Sequence, residues 1–322
     1  MHTGVLHLTG LMMALPAGRL KAQAAMLESN LKAQAVLNRA VTAYGCRDLV
    51  RAMSRQFTWV LEGELIHRNQ SPSAAQSVTT PFRMVMAGDL DAGRYSTDRK
   101  GSYPGGFNWQ NLDVLDSGKT KQVNVGPRTV VTLPTADVAN YQAQLERLPQ
   151  MVVARLDGQR RGLLWSGEGT RDGERYNVIE APVNATTIGR YYFSERTGLL
   201  TDVERVIGDD YEGDAVVRIR MSDYRADGGT MVPGMIEQFT GTSATIRVRP
   251  VVVLLGQAPA ESLFALPAEL TDVPRQPPAE PSFERVGPGV YMASGMAGGY
   301  RMLVADFGDY LAVMESPNGS EQ

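Results

Sequence analysis

From Leu163 to Val253 the chain alternates short apolar runs with turn signals, and this pattern limits the fold more than any other feature. Strand patterns fall at Leu163–Glu168, Arg175–Ala181, Thr187–Phe193, Leu199–Val206, Ala215–Tyr224, Met231–Thr240 and Ala244–Val253. The links between them, among them RDGE, SERTG, GDDYEGD, ADGG and GTS, are too short for a crossover helix. Neighbours joined by such links pair antiparallel.

The same period of two begins upstream. In FTWVLEGELIHR, Phe57, Trp59, Leu61 and Leu65 alternate with Thr58, Glu62 and Glu64, which describes a half-buried strand. Further strands are expected at Phe82–Ala87, Arg94–Thr97, Gln110–Leu115 and Thr129–Leu133, with SYPGGFN (Ser102–Asn108) as a turn-rich loop. Two segments carry helical spacing instead. Ala24–Tyr44 places Ala33, Leu37, Ala40, Val41 and Tyr44 on one side, with Gly45 suited to end the helix. Asp137–Leu156 carries a stripe of Leu145, Leu148, Val152 and Leu156, and Pro149 is expected to kink or split it. A short helical turn is expected at Leu49–Met53. The fold class these elements imply is α+β: one curved antiparallel sheet, an open half-barrel, with N-terminal and mid-chain helices on one face and a short C-terminal β-hairpin.

Composition narrows the function. The net charge is −3 with no block of Lys and Arg, so nucleic acid is not an expected partner. Cys46 is the single cysteine, which excludes an internal disulfide, and it reads as a small, buried apolar residue rather than a nucleophile. Residues 1–24 contain an apolar run, Gly4–Gly18, followed by Ala22-Gln23-Ala24, as in a signal peptide and its cleavage site. No basic residue precedes the run, and Arg19 and Lys21 lie between it and that site. A periplasmic or secreted location is the expectation, a cytoplasmic protein with a frayed first helix the alternative. The run is too short to be read as a transmembrane segment.

Residues 25–254 form the expected sheet domain, and 255–282, rich in Pro and Ala, a linker with one apolar anchor at Leu263–Pro267. The stretches TTIGRYYFSERTGLLTDVERV, SDYRADGGTMVPGMIEQF and ESLFALP, in this order, resemble the half-barrel of bacterial lipoprotein-carrier-like proteins. They are also similar to the domain that precedes the catalytic domain in some bacterial metallo-β-lactamase-fold hydrolases, as is Ala40–Glu64, with Cys46 where that pattern has a second glycine. Residues 283–322, with Gly289-Val290-Tyr291, Met302–Asp306, Tyr310–Met314 and Glu315, resemble the first hairpin of the hydrolase domain. That resemblance implies a truncated parent, with the sheet domain as a non-catalytic accessory that scaffolds a missing hydrolase domain or presents substrate to it.

The hydrolase family holds zinc through H-x-H-x-D-H and later His and Asp ligands. Here the histidines are His2, His7 and His67, none with a partner at ligand spacing. No catalytic residue, metal ligand or cofactor is therefore expected in this chain, and zinc only in a longer parent. The acidic pairs Asp89/Asp91 and Asp209/Asp210 read as solvated turns, and the glycine sets Pro104–Gly106 and Gly295–Gly299 lack the lysine of a phosphate loop. Arg218, Arg220, Arg247 and Arg249 alternate along two strands and read as a solvated outer face. The remaining candidate is apolar: Trp59, Leu61, Phe82, Met84, Trp109, Trp165 and Tyr192 lie on or beside strands and would line a pocket on the concave face of a half-barrel. Lipid or another apolar small molecule is the partner such a pocket implies. An envelope regulatory protein that binds a partner peptide through the same sheet is the remaining alternative.

Overall fold

The computed structural model describes the chain except residues 1–16, 68–75, 117, 134–142, 185–186, 210–212, 275–281, 296–300 and 315–322. Helix α1 (Ala17–Ala43) and helix α2 (Arg47–Arg55) lead into six strands: β1 (Gln56–His67), β2 (Val78–Asp89), β3 (Arg94–Ser102), β4 (Asn108–Asp116), β5 (Lys119–Asn124) and β6 (Thr129–Leu133). Helix α3 (Pro149–Gly158) follows. The chain continues through β7 (Leu164–Arg171), β8 (Glu174–Pro182), β9 (Ile188–Ser194), β10 (Leu200–Asp209) and β11 (Gly213–Ser222). A small ribbon of β12 (Arg225–Asp227) and β13 (Thr230–Val232) precedes β14 (Met235–Thr240), β15 (Ser243–Leu255) and β16 (Thr271–Asp272).

One sheet of 14 strands runs in the order β16-β6-β5-β4-β3-β2-β1-β15-β14-β11-β10-β9-β8-β7. Every pairing is antiparallel except β16 on β6. The sheet is open and curved, as the turn spacing implies, with no closed barrel. β1 sits near its middle and pairs along its length with β2 and β15. β1 to β6 run outward in chain order on one side, with β16 added at their edge, and β15 back to β7 on the other, so each wing is a meander grown outward from the β1–β15 pair.

One face is dry. Phe57, Trp59 and Leu61 of β1 are fully buried, beside Met84 and Met86 of β2 and Tyr191, Phe193, Val203, Ile219 and Ile236 of the other wing. These pack in a single cluster with Ala33, Leu37, Ala40 and Tyr44 of α1 and Val152, Val153 and Leu156 of α3. Fully burying a side chain such as Leu37 contributes about 1.5–3 kcal/mol, so the helices, not the ladder alone, hold the sheet's face away from water. Gly45, at φ +117, ends α1 as its position suggested, while Cys46 beside it is exposed rather than buried as expected.

Several expectations shift in detail. Pro149 does not kink a long helix. It starts α3 at a position where its missing N–H costs nothing, and residues 137–142 of the expected helix lie outside the described residues. The expected strand Met231–Thr240 is broken at Pro233-Gly234, where a Cβ on Gly234 would meet the Asp223 carbonyl at 2.7 Å. β5, KTKQVN, was not expected; of its residues only Val123 is buried, so it carries little apolar signal. α1 begins at Ala17, inside the expected signal segment, whose residues 1–16 are not described.

The segment after β15 lies along the outer face. Arg94 donates to both carboxylate oxygens of Glu261 (3.1 and 2.7 Å) and stacks on Phe264 at 4.0 Å, while Leu266 and Leu270 cover a second apolar cluster of Leu112, Val114, Val123 and Val130. The expected apolar anchor at Leu263–Pro267 is thus seated on β3–β6. The C-terminal strands β17 (Ser282–Gly287), β18 (Val290–Ser294), β19 (Met302–Asp306) and β20 (Leu311–Met314) form a separate four-stranded antiparallel sheet, more than the expected hairpin.

A polar layer sits beside α3. Glu146 and Arg147 are buried; Glu146 accepts from Arg205, and Arg147 donates to Gln238 and to Gln144. Burial pushes the Glu146 carboxyl above its ordinary value, against the pull of Arg205, Arg155 and Arg147. The folded protein therefore holds this proton more tightly than the unfolded chain does. The group's contribution to stability is complete below its unfolded value, near 4.5, and is lost as pH rises through the folded value. Lowering the pH from 7 to 4.5 is expected to stabilise the wild type relative to Glu146→Gln, measured as the difference in urea midpoints.

Gly63 tests the register. A Cβ there would lie 2.1 Å from the Arg247 carbonyl oxygen of β15. Gly63→Ala is expected to cost about 1–3 kcal/mol through overpacking, whereas Gly169→Ala, in open space, is expected to stay within about 0.5 kcal/mol. Denaturant midpoints of the two variants decide this.

Candidate ligand-binding cleft

Along the inward face of β1 the side chains run Phe57, Trp59, Leu61, Gly63, Leu65. The interior is filled as far as Leu61. At Gly63 it changes: Gly63 pairs with Phe82, Phe82 with Gly101, and Gly101 with Trp109. Two glycines thus alternate with two aromatics in one row across four strands. A Cβ on Gly101 would meet Trp109 Cζ2 at 2.6 Å, so the missing side chain is what lets the indole lie over the strand. Phe82 and Trp109 have ring centroids 6.2 Å apart at 43°.

The loop between β3 and β4 extends this row. Gly105 and Gly106, both at positive φ, turn the chain, and the Tyr103 N–H donates to the Phe107 carbonyl at 2.8 Å. Tyr103 and Phe107 stack at 6.1 Å and 26°, and Tyr103 lies 6.4 Å from Trp109 and 6.2 Å from the His67 ring. His67 shares a 2.8 Å hydrogen bond with Thr80 Oγ1, whose hydroxyl donates to the Ser102 carbonyl at 2.7 Å. The aromatic ladder is exposed at its far end: Tyr103 is 44 % and Phe107 68 % accessible. Around it is a cleft of about 1210 Å³, bounded by the distal ends of β1–β5.

The cleft also has polar walls. Its cations are already matched, Arg83 by Glu62 at 3.1 Å and Lys100 by Asp98 at 3.7 Å. The buried Trp109 indole N–H makes no hydrogen bond among the described residues. Among the described residues no group of three His, Cys, Asp or Glu is placed to hold a metal ion, and no helix is long and apolar enough to cross a membrane.

Of the seven residues expected to line a pocket, all but Tyr192 belong to or pack against the main cluster, but they do not line one cavity. Phe82 and Trp109 border the cleft. Trp59, Leu61 and Met84 are buried in the main cluster and contribute to its filling. Trp165 lies on β7, at the opposite end of the sheet, with its indole N–H on Asn177 at 3.2 Å and Lys32 over its ring. Tyr192 points to the outer face, because its neighbours Tyr191 and Phe193 take the inner one. Its hydroxyl donates to Glu204 at 2.5 Å and Arg171 stacks on its ring. Tyr103 and Phe107 were missed; their only sequence signal was a pair of aromatics flanking a Pro-Gly-Gly turn.

The arginine stripe lies on the outer face and is largely paired: Arg220 with Asp172 at 3.0 Å, and Arg247 with Glu64 at 3.0 Å and Glu237 at 2.9 Å. Asp209 ends β10, and Asp210 lies outside the described residues, as do most of the 295–299 glycine set and Glu315.

No family model matches the chain, and no curated protein matches it. Among solved structures it is similar to a LolA-superfamily protein from Nitrosomonas europaea, at 11 % identity and TM-score 0.44, over 73 % of this chain and 97 % of that one. A DUF1329-family protein from Desulfovibrio piger is similar at 12 % identity and TM-score 0.44, over 72 % and 97 % of the two chains. The Pseudomonas aeruginosa MucA/MucB complex is similar at 15 % identity and TM-score 0.24, over 88 % and 76 %. These are LolA-superfamily, DUF1329-family and MucB proteins, not metallo-β-lactamase-fold hydrolases, which corrects the expected hydrolase parent.

The cleft architecture carries its own test. Gly101→Val is expected to displace the Trp109 indole and shift its fluorescence emission, with the emission of a Trp109→Phe variant left unchanged by the same substitution.

Proposed function

We propose that this chain is a non-catalytic binding protein whose distal cleft takes a lipid or another apolar ligand. The observation that carries the reading is the Tyr103–Phe107 stack, exposed at the mouth of the 1210 Å³ cleft above Phe82 and Trp109. Ligand sites combine such concave volume with apolar and aromatic walls and few polar groups. Burying rings that are now wet supplies the driving force for binding. An envelope location goes with this reading, since an apolar ligand of this kind is met at membranes and the chain opens with an apolar run followed by A-x-A.

A second reading is an envelope regulator that binds a peptide. One observation favours it: β7 is an edge strand. Ser29 of α1 satisfies both the N–H (2.9 Å) and the carbonyl (3.0 Å) of Trp165, but that protection reaches only the start of the strand. An incoming extended segment could add to the remaining edge.

Displacement of a fluorescent fatty acid from the purified protein separates the two. Trp109→Ala is expected to weaken binding by about tenfold or more, equivalent to about 1.4 kcal/mol, while Trp165→Ala leaves it unchanged. Equal loss in both variants, or no binding by the wild type, overturns the cleft reading.

A further inference from the structure

Many charged side chains of the sheet are tied to partners on other strands: Arg171 with Asp202 and Glu204, Arg190 with Glu180, Arg247 with Glu237 and, next to the cleft, Arg99 with Asp113. In the cleft, three of the four amide side chains have no partner. Gln110 donates to Asp98 at 2.9 Å, but Asn108, Asn111 and Asn124 make no side-chain hydrogen bond among the described residues.

Asn111 and Asn124 stand directly opposite each other on β4 and β5. Such cross-strand neighbours have Cβ atoms about 5 Å apart. Each primary amide offers two donors and an acceptor, so the pair presents four N–H groups and two carbonyls to one ligand. Asn111 is two residues from Trp109 on the same strand, hence on the same face, and Trp109 is part of the aromatic ladder.

This combination selects a ligand chemistry. Flat aromatic rings suit the C–H faces of a pyranose, and amides suit vicinal hydroxyls, each of which both donates and accepts. A phosphate or carboxylate head group would call for an unmatched cation, and Arg99, which stands opposite Asn111 on the same face, is already held by Asp113 at 2.6 Å, as Arg83 is by Glu62 and Lys100 by Asp98 on the alternate face. A bare acyl chain would leave the amides without a use.

We propose that the amide pair Asn111/Asn124, with Trp109, forms a subsite for a neutral sugar ring, supplied either as the head group of a glycolipid or as a free oligosaccharide. This rests on the cleft being a ligand site and adds the class of head group it selects. Asn111 and Asn124 accept and donate to the ring hydroxyls, and the Trp109 to Phe107 ladder covers the ring face and the start of any attached chain.

The test uses the full chain and three amphiphiles with one decyl chain, below their micellar concentrations: decyl glucoside, decyl maltoside and decyl phosphocholine, with free maltose alongside. Titration calorimetry is expected to give at least one glycoside an affinity about tenfold or more above that of the phosphocholine. Asn111→Ala/Asn124→Ala is expected to erase that preference and leave the phosphocholine affinity unchanged. Asn124→Ala alone, at an exposed position, provides the same readout if the double variant does not fold. Free maltose binding with the same asparagine dependence identifies the source as a free glycan; a glycoside preference without maltose binding identifies a glycolipid. Equal affinities for all three amphiphiles, or a preference that survives the asparagine substitutions, overturns the sugar subsite and leaves the apolar cleft standing. Absence of binding by all three amphiphiles and maltose overturns both.

Discussion

The structure depends on β1 keeping its inward side chains dry over most of its length and losing them at one point. Phe57, Trp59 and Leu61 are fully buried under α1 and α3, and they fix the register of the strands on both sides, since a one-residue slip would turn each of them to water. Gly63 then places no side chain in the row, because a Cβ there would run into the β15 backbone. A sheet that closes its interior completely at one end and thins it to backbone at the other has a core and a cleft on the same face. Trp109 fills part of that space only because Gly101 leaves room for the ring.

The outer face follows a different rule. Asp202 is buried there, its side chain 2 % accessible, and it accepts from Arg171 at 3.0 Å with Arg218 and Arg220 within 4 Å. Burial raises its carboxyl above the ordinary range against the pull of those three arginines. Removing one member of such a network, which ties β7, β10 and β11 together, leaves an uncompensated buried charge. Arginines that alternate along strands thus belong to the sheet's own ion pairs.

Much of the fold was legible because the sheet speaks in period two and its turns are short. The alternation in FTWVLEGELIHR marked β1 and its buried side, and the helical stripe of Ala33, Leu37, Ala40 and Tyr44 marked the face of α1 that lies in the core. Where local signal conflicted with tertiary context, context won: Pro149 starts a helix, Pro233 splits a strand, and β5 pairs despite its polar sequence. The site was much less legible. Aromatics on strands could be named, but which of them meet depends on strand order, and Trp109 and Trp165 stand on strands far apart in the sheet. Tyr192 could have been set aside from parity alone, since Tyr191 and Phe193 claim the inner face. Tyr103 and Phe107 could not be weighed without knowing that their loop folds back beside Trp109.

The most direct measurement is photo-crosslinking with a diazirine-bearing acyl probe, followed by peptide mapping. The account predicts that the label falls within Pro81–Gln110, on β2, β3, β4 and the loop that carries Tyr103 and Phe107. Label concentrated instead on the exposed Met26, Leu27 and Leu31 of α1, or on Phe307, Tyr310 and Leu311 of the C-terminal sheet, would contradict it.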